Sequence, residues 1–242
     1  MINAVILAGS GEIEKIPGKS LAKINGKPML SYVVDAARKT DMIGSIYVVG
    51  NDDIRGFCLE NDLEFAEGGT DILDNLIKGI QRFKNDRRII ILTGDIPYIT
   101  PEAIIDFIIR SEEIDADFCY PIVEKKTCEE KFPGTRRTYV TLKDGAFTGG
   151  NVFYLNPGII ERCMPVIRHV VQNRKNPAKI ATILGPGLIL AFLFKTLTIE
   201  MVEKKASRML NITAKAIISP YAEIGNDVDK PEDLEMANQI LM

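Results

Sequence analysis

Short apolar runs alternate with stretches in which apolar residues recur at helical spacing along the first half of the chain. The runs predict strands at residues 4–7, 45–49, 63–66, 88–92 and 118–123, and a later one at 215–218. The stretches between them predict helices over residues 29–38, 53–61, 72–83 and 101–111. This alternation is typical of βαβ units on a largely parallel sheet and predicts an α/β fold.

The pattern changes after residue 139. Residues 139–147 predict a hairpin, and residues 151–155 a further strand. Residues 158–210 are mostly helical in pattern, with breaks predicted at Pro165, at 176–177 and at 185–187, and residues 231–241 predict a closing helix. We therefore predict one domain over residues 1–242 that carries a mostly helical insertion at about 158–212.

Residues 188–194 form the most apolar run of the chain. The run is far shorter than the roughly 20 residues of a membrane span, so no transmembrane segment is predicted. A buried helix or a contact in a homodimer is favoured over an apolar acceptor pocket or a membrane-surface contact.

Charge and composition narrow the classes of function. A net charge of −3 gives no reason to expect a nucleic acid partner. The four cysteines form no Cys-x-x-Cys pair and His169 is the single histidine, which argues against a zinc site and against a Ser/His or Cys/His catalytic pair. His169 itself is predicted on a helix surface. Scattered thiols and the lack of a secretory signal pattern predict a cytoplasmic protein.

An apolar strand runs into a small-residue loop at residues 7–11, where glycines let backbone N–H groups face an anion. A dinucleotide fingerprint is excluded because Glu14 stands where its third glycine is required. A Walker A loop is excluded because Ile13 stands where its first glycine is required, ahead of Gly18-Lys19-Ser20.

The same segment, Leu7-Ala8-Gly9-Ser10 with residues 17–30, resembles the start of sugar-phosphate nucleotidyltransferases, molybdenum-cofactor guanylyltransferases and methylerythritol-phosphate cytidylyltransferases. The resemblance implies a three-layer α/β/α, Rossmann-like (GT-A-like) fold with a mostly parallel sheet. It also implies that a loop wraps the triphosphate and that Lys19 contacts the phosphates. The loop residues concerned are Leu7, Ala8, Gly9, Ser10 and Gly11.

The sequence departs from the family at one position. Glu14-Lys15 stands where the family carries an arginine. Lys15 is either a substitute point charge in catalysis or a solvated loop residue, and it lacks the bidentate fork of arginine. The departure keeps a second hypothesis open, a nucleotide-binding module of the same fold with little turnover. A glycosyltransferase of related fold ranks last, because no Asp-x-Asp follows the expected strand.

Two aspartates are candidates for binding Mg²⁺, which prefers oxygen ligands. Asp95 follows an apolar strand within Gly-Asp-Ile-Pro, which resembles the family's magnesium motif, although an aspartate here is also typical of a turn. Asp229 matches the family residue that completes the metal site. The alternative for Asp229 is a capping box with Glu232 at the last helix. Asp227 is a less favoured ligand.

The segments that would bind the base and the acceptor have weaker sequence signals. Gly68 and Gly69 open a helix on which Asn75 is polar, and this segment resembles the base-binding part of the cytidylyltransferases, which favours CTP over GTP. The alternative is an Asp71-capped helix with Asn75 on its surface. Gly150 and Asn151 follow the hairpin, where related enzymes approach the acceptor. Four basic residues could bind an acceptor phosphate or be simply solvated: Lys125, Lys126, Arg136 and Arg137.

These features together predict a Mg²⁺-dependent nucleotidyltransferase. The reaction moves a nucleoside monophosphate from a nucleoside triphosphate onto a phosphorylated small molecule.

Overall fold

A nine-stranded sheet forms the centre of the chain. The computed structural model describes residues 1–9, 16, 18–69, 71–173, 183 and 185–242. Within these residues the sheet strands are β1 (Ile2–Leu7), β4 (Ile43–Gly50), β5 (Glu64–Glu67), β6 (Ile89–Thr93), β7 (Phe118–Glu124), β8 (Val140–Leu142), β9 (Gly145–Gly149), β10 (Val152–Leu155) and β11 (Ala214–Ser219). Two short strands, β2 (Lys23–Ile24) and β3 (Lys27–Pro28), pair with each other outside the sheet.

Helices connect most of the strands. The described α-helices are α1 (Met29–Arg38), α2 (Asp52–Glu60), α3 (Ile72–Arg82), α4 (Pro101–Ile114), α5 (Lys125–Lys131), α6 (Ile160–Asn173), α7 (Pro186–Leu193), α8 (Ile199–Leu210) and α9 (Pro231–Ile240). Their order confirms the predicted alternation of strands and helices. The short, highly charged helix α5 was not among the predicted elements.

The sheet order is β5-β4-β1-β6-β10-β7-β9-β8, and β11 pairs with the other side of β7. Pairing is parallel from β5 through β4 and β1 to β6. Strand β10 is antiparallel to both β6 and β7, so β6 and β7 point the same way. The predicted α/β fold with a mostly parallel sheet is confirmed.

Side chains of β1 alternate between the two faces of the sheet because successive residues of a strand point to opposite sides. Ala4 and Ile6 pack in a core with residues of α1, α2 and α4, whereas Val5 packs in a second core with residues of α3 and α6. This gives the three layers of an α/β/α protein. Each fully buried large side chain, such as Phe107 of α4, contributes about 1.5–3 kcal/mol.

Strands β9 and β10 lie end to end along β7. The first pairs with residues 122–124 of β7, and the second with residues 118–119. The break between them falls at Gly150 and Asn151. It therefore lies beside the carboxyl end of β6, the edge of an α/β sheet where ligands bind.

The predictions about the helical part of the second half of the chain have different outcomes. Pro165 does not break a helix but lies inside α6, because the helix packs an apolar face, including Ile160, Met164 and Ile167, on the sheet. His169 is exposed on that helix, as predicted. The predicted break at 176–177 lies outside the described residues, and the boundaries of the insertion stay a prediction.

The apolar run 188–194 is not buried within the chain, which contradicts a buried helix, whereas the homodimer contact that was favoured equally stays a prediction. It forms most of α7, of which Ala191 alone is buried, whereas Leu193 and Phe194 are 68% and 74% exposed. The sheet side of this region is already covered by α6 and α8, which leaves α7 on the surface. Among the described residues, no helix has the length and apolar character to cross a membrane.

Candidate active site

The turn after β1 and the turn after β6 meet at the carboxyl edge of the sheet. Gly94 donates its backbone N–H to the carbonyl oxygen of Leu7 at 2.8 Å, and the N–H of Ala8 donates to Val49 O at 2.8 Å. These bonds continue the sheet past the ends of its strands. They place Asp95 directly beside the glycine loop that the sequence assigns to the phosphates.

Lys19 reaches the same place from a short 3₁₀ turn (Lys19–Leu21). Gly18 precedes that turn with φ of 57°, a left-handed conformation that glycine adopts without steric cost. Ser20 fastens the turn to the loop, since its hydroxyl donates to Ala8 O at 3.1 Å. Lys19 is therefore held against the loop rather than extended into solvent.

The ammonium group of Lys19 joins the two aspartates predicted to bind Mg²⁺. Its Nζ atom lies 2.6 Å from Asp95 Oδ2 and 2.5 Å from Asp229 Oδ1. Burial alone would lower the pKa of Lys19, but the two carboxylates outweigh it and hold the pKa of this ammonium above its usual value. Lys19 is therefore fully charged at neutral pH.

A third carboxylate completes the cluster. Asp95, Asp227 and Asp229 each offer an oxygen, and these oxygens lie within 4.8 Å of one another. Thr93 donates its hydroxyl to Asp95 Oδ1 at 2.5 Å, and Val228 donates its N–H to Asp95 O at 2.9 Å. The segment before α9 is thus anchored on the turn after β6, which brings together aspartates that are far apart in the sequence.

The three carboxylates differ in their electrostatics. Burial raises the pKa of Asp227 to about 6, with Arg137 opposing the shift and Asp95 and Asp229 adding to it. Partial burial also disfavours the charged form of Asp229, but hydrogen bonds from Lys19 and Asp227 prevail and lower its pKa. The cluster therefore concentrates negative charge that a cation would neutralise.

Asp229 does not cap the last helix, contrary to the alternative weighed for it. Helix α9 begins at Pro231, and the Asp233 carboxylate accepts the backbone N–H groups of Asp229 and Lys230, at 3.0 and 2.9 Å. Because Asp233 makes the cap, both carboxylate oxygens of Asp229 remain for the cluster. The side chain of Asp229 is 57% exposed.

The predicted base-binding residues lie on the other side of the glycine loop. Asn75 is buried in α3, which contradicts a surface position, and its Oδ1 accepts the Gly69 N–H at 2.7 Å. A Cβ on Gly9 would overlap the Asn75 amide, and one on Gly68 would lie 2.5 Å from Asn75 Oδ1. Asn75 thus connects the loop after β1 with the loop after β5. Asp71 caps α3 as predicted.

The predicted acceptor residues lie beside Asp227. The Asn151 amide nitrogen lies 3.5 Å from Asp227 Oδ1. Gly150 is buried, and its N–H donates to Pro121 O at 2.8 Å, so this backbone group already has a partner. Tyr120, which no sequence pattern marked, stacks with Phe118 and Phe153, and its hydroxyl abuts Gly149.

Ser10, Gly11 and Lys15 lie outside the described residues. Of the four basic residues weighed for an acceptor phosphate, Arg137 has a largely buried side chain and pairs with Asp227. Lys125 and Lys126 instead lie within salt-bridge distance of Glu129 and Glu130, their neighbours on α5.

A doubly covered α/β sheet with a lysine and clustered carboxylates at its carboxyl edge is typical of nucleotide-binding α/β proteins. The family profile described as the MobA-like NTP transferase domain matches residues 4–184, and the chain belongs to this family.

Known proteins agree with this assignment. The chain is 33% identical over 128 residues to the 8-amino-3,8-dideoxy-manno-octulosonate cytidylyltransferase of Shewanella sp. (strain W3-18-1), an alignment that covers 48% of this chain and 52% of the relative. The chain thus spans about half the length of the curated relatives it matches.

Solved structures extend the likeness to nearly the whole chain. A hypothetical transferase from Thermus thermophilus is 34% identical with a TM-score of 0.85, over 96% of this chain and 99% of that one. The 4-diphosphocytidyl-2C-methyl-D-erythritol synthase of Anaerococcus prevotii has a TM-score of 0.63 at 12% identity, over 99% of this chain and 97% of that one, and shows the shared fold.

Proposed function

We propose that the protein is a nucleotidyltransferase. It moves a nucleoside monophosphate from a nucleoside triphosphate onto a phosphorylated small molecule and releases pyrophosphate. The observation that carries this proposal is the placement of Lys19 between Asp95 and Asp229, against the loop at Leu7–Gly9. The phosphates of a triphosphate bound on that loop would contact the Lys19 ammonium. They would also contact the cation held by the carboxylates.

The carboxylate cluster fits Mg²⁺. The donor set is all oxygen, the oxygens lie within 4.8 Å of one another, and the exposed Asp229 leaves the cluster open to water and to phosphate oxygens. Asp95 and Asp229 would hold the ion, with Asp227 beside them. The chemistry that such an ion supplies is neutralisation of the charge that develops on the phosphates.

The transfer itself needs no protein nucleophile. An acceptor oxygen forms a bond to the α-phosphorus, the bond between the α-phosphorus and the bridging oxygen breaks, and pyrophosphate leaves with that electron pair. Lys19 stabilises the negative charge on the phosphates. A phosphate oxygen as attacking group has no proton to lose, which agrees with a site built from carboxylates and a lysine.

CTP is the proposed donor, with GTP as the alternative. The Shewanella relative is named a cytidylyltransferase, which supports CTP. The backbones of Gly9 and Gly68 lie so close to the Asn75 amide that an added Cβ would overlap it, which keeps this part of the candidate base site free of further side chains.

A second acceptor class is favoured by one observation. The name of the Shewanella relative specifies an octulosonate, which is a sugar acid rather than a phosphate ester. A sugar acid would attack through a hydroxyl or carboxylate oxygen, and a hydroxyl would have to lose its proton. The amide of Asn151, beside Asp227, and the hydroxyl of Tyr120, beside Gly149, suit the hydroxyls of such an acceptor.

One assay tests the proposal. Pyrophosphate release is measured with each of the four common NTPs and Mg²⁺, against one panel of phosphorylated metabolites and one of sugar acids, with Asp95→Asn as the inactive control. Release with CTP and one panel supports the transferase and identifies the acceptor class. If neither panel gives pyrophosphate release, while NTP binds tightly and Asp95→Ala does not change that binding, the result would support the nucleotide-binding module instead.

We further infer a cytoplasmic homodimer. The exposed apolar surface of α7 suits contact with a second copy, and the four cysteines are free and buried, as expected in a reducing compartment. Light scattering measures the mass, and Leu193→Asp is expected to yield monomer without loss of helix content. A monomeric wild type across the micromolar range would rule the dimer out.

A further inference from the structure

Arg137 lies in the irregular segment between α5 and β8 and contacts the Asp227 carboxylate. Its side chain is 13% exposed. The Nε atom donates to Asn226 Oδ1 at 2.9 Å, and Nη2 donates to the backbone oxygen of Asp227 at 2.5 Å. Nη1 also contacts the Asp227 carboxylate, and Nη2 contacts Asn226 Oδ1.

All of these bonds go to two consecutive residues of the segment that leads to Asp229. The bonds also fix the orientation of the Asn226 amide, because its NH₂ group cannot face the donors of a guanidinium. Asn226 is buried, and no described residue accepts a hydrogen bond from its Nδ2 atom. A buried amide nitrogen without a hydrogen-bond partner costs free energy. The orientation of the Asn226 amide therefore depends on the bonds that Arg137 donates to its oxygen.

Arg137 also balances charge. Three carboxylates with oxygens within 4.8 Å repel one another. Lys19 lies between Asp95 and Asp229, whereas Arg137 contacts Asp227 alone among the three. Arg137 is therefore the counter-ion of Asp227. Asp95 and Asp229 share a different counter-ion, the ammonium of Lys19.

We propose that Arg137 is a positioning residue: it clamps Asn226 and Asp227 and thereby holds Asp229 opposite Asp95, where the pair can take a divalent cation. The cation in this inference rests on the proposed function, whereas the clamp of Arg137 on Asn226 and Asp227 does not. Lysine could replace the charge but not the fork that reaches an amide oxygen, a backbone oxygen and a carboxylate together.

The first test measures Mn²⁺ binding to the nucleotide-free protein by electron paramagnetic resonance. Arg137→Met is expected to weaken Mn²⁺ binding about 10- to 100-fold, as loss of an outer partner of a metal site does. Arg137→Lys is expected to restore less than half of that loss on a logarithmic scale. Arg136→Met is the matched control, because Arg136 is the exposed neighbour, and it is expected to bind as the wild type does.

The second test reads the clamp without a cation. Amide hydrogen exchange of residues 225–229 is expected to rise at least about tenfold in Arg137→Met and Arg137→Lys, and to stay unchanged in Arg136→Met. Exchange in α3 and β1 serves as the internal reference for the global fold. Faster exchange everywhere would mean a purely structural role and would overturn the proposal.

The two tests distinguish the proposed cation site from the proposed clamp. A wild type that binds no Mn²⁺ would remove the proposed cation site and leave the clamp to be decided by exchange alone. Normal Mn²⁺ binding and normal exchange at 225–229 in Arg137→Met would overturn the inference, whatever the enzyme does. Arg137→Lys with full Mn²⁺ affinity would show that charge alone suffices, and would also overturn it.

Discussion

The ammonium of Lys19 lies 2.6 Å from Asp95 Oδ2, although 76 positions separate the two residues in the sequence. The same ammonium reaches Asp229 at 2.5 Å, so a single cationic group lies where a divalent cation would contact both carboxylates. In the proposed function, Lys19 and a metal ion would therefore compete for the same pair of side chains. If Lys19 also binds phosphate, it would have to leave this pair, at least in part, when a metal-bound triphosphate arrives.

This competition gives the first prediction. Lys19→Met is expected to lower kcat/KM by about 100-fold or more, because a charge that faces the phosphates is lost. The same variant is expected to bind Mn²⁺ about fivefold more tightly without nucleotide, because an ion pair of about 1 kcal/mol no longer opposes the metal. Lys27→Met is the control, since Lys27 pairs with Asp35 instead. Weaker Mn²⁺ binding in Lys19→Met would contradict the competition.

The second prediction concerns the unequal exposure of the two carboxylates. Asp95→Asn is expected to reduce Mn²⁺ affinity by at least about 100-fold, beyond the loss typical of an outer partner. Asp229→Asn is expected to lose less, because its side chain is 57% exposed against 23% for Asp95 and water can replace it more readily. Calorimetric titration with Mn²⁺ measures both. Equal losses, or a larger one at Asp229, would argue against this ranking.

The third prediction is a pH dependence in metal-free buffer. Burial raises the pKa of Asp227 to about 6, above the value of about 3.9 for a free aspartate, so the folded state holds the proton more tightly. The free energy of unfolding should therefore fall as the pH rises from about 4 to about 6, by at most about 3 kcal/mol, and then level off. The lowered pKa of Asp229 acts in the opposite direction and reduces the net effect.

Urea unfolding of the wild type and of Asp227→Asn, with a chelator present, isolates this contribution. The stability of the variant relative to the wild type should become more favourable between about pH 4 and pH 6, because the variant has no carboxylate to ionise. A constant difference across that range would show that Asp227 titrates near its ordinary pKa. Thr141→Val, on the outer strand β8, serves as a variant without a titrating change.

The fourth prediction tests the contact between Gly9 and Asn75. Gly9→Ala should cost about 1–3 kcal/mol of stability, because its Cβ overlaps the buried amide, and should raise the KM for CTP more than it lowers kcat. Gly9→Ala with Asn75→Ala should cost less than the two single losses added together. Gly56→Ala is the control: its Cβ meets open space in α2, and a gain of about 0.5–1 kcal/mol is expected.

The position of one candidate carboxylate follows from the pattern of the sequence. The apolar strand that ends before Gly94-Asp95 predicts where this carboxylate lies, because the carboxyl ends of parallel strands share one edge of a sheet. Lys19 and Asp229 follow from family resemblance rather than from any pattern of their own. The structure joins all three, and it does so through side-chain distances that no local pattern encodes.

What the sequence could not predict depends on tertiary contacts. Arg137 lies in a segment without apolar periodicity, and its pairing with Asp227 spans 90 positions. The capping role that was weighed for Asp229 belongs to Asp233. Asp229 precedes the helix and Asp233 lies in its first turn, so the sequence allows either residue and only the geometry distinguishes them. Helix α5 has one buried residue, Cys128, so it presents no stripe to detect.

The long separation between Lys19 and Asp229, 210 positions, has a consequence for biosynthesis. A ribosome releases the glycine loop and Asp95 well before the segment that docks through Val228. A nascent chain can thus hold Lys19 and Asp95 while Asp229 is still missing. It follows that the three side chains meet only after the closing segment has been synthesised and has docked on the turn after β6.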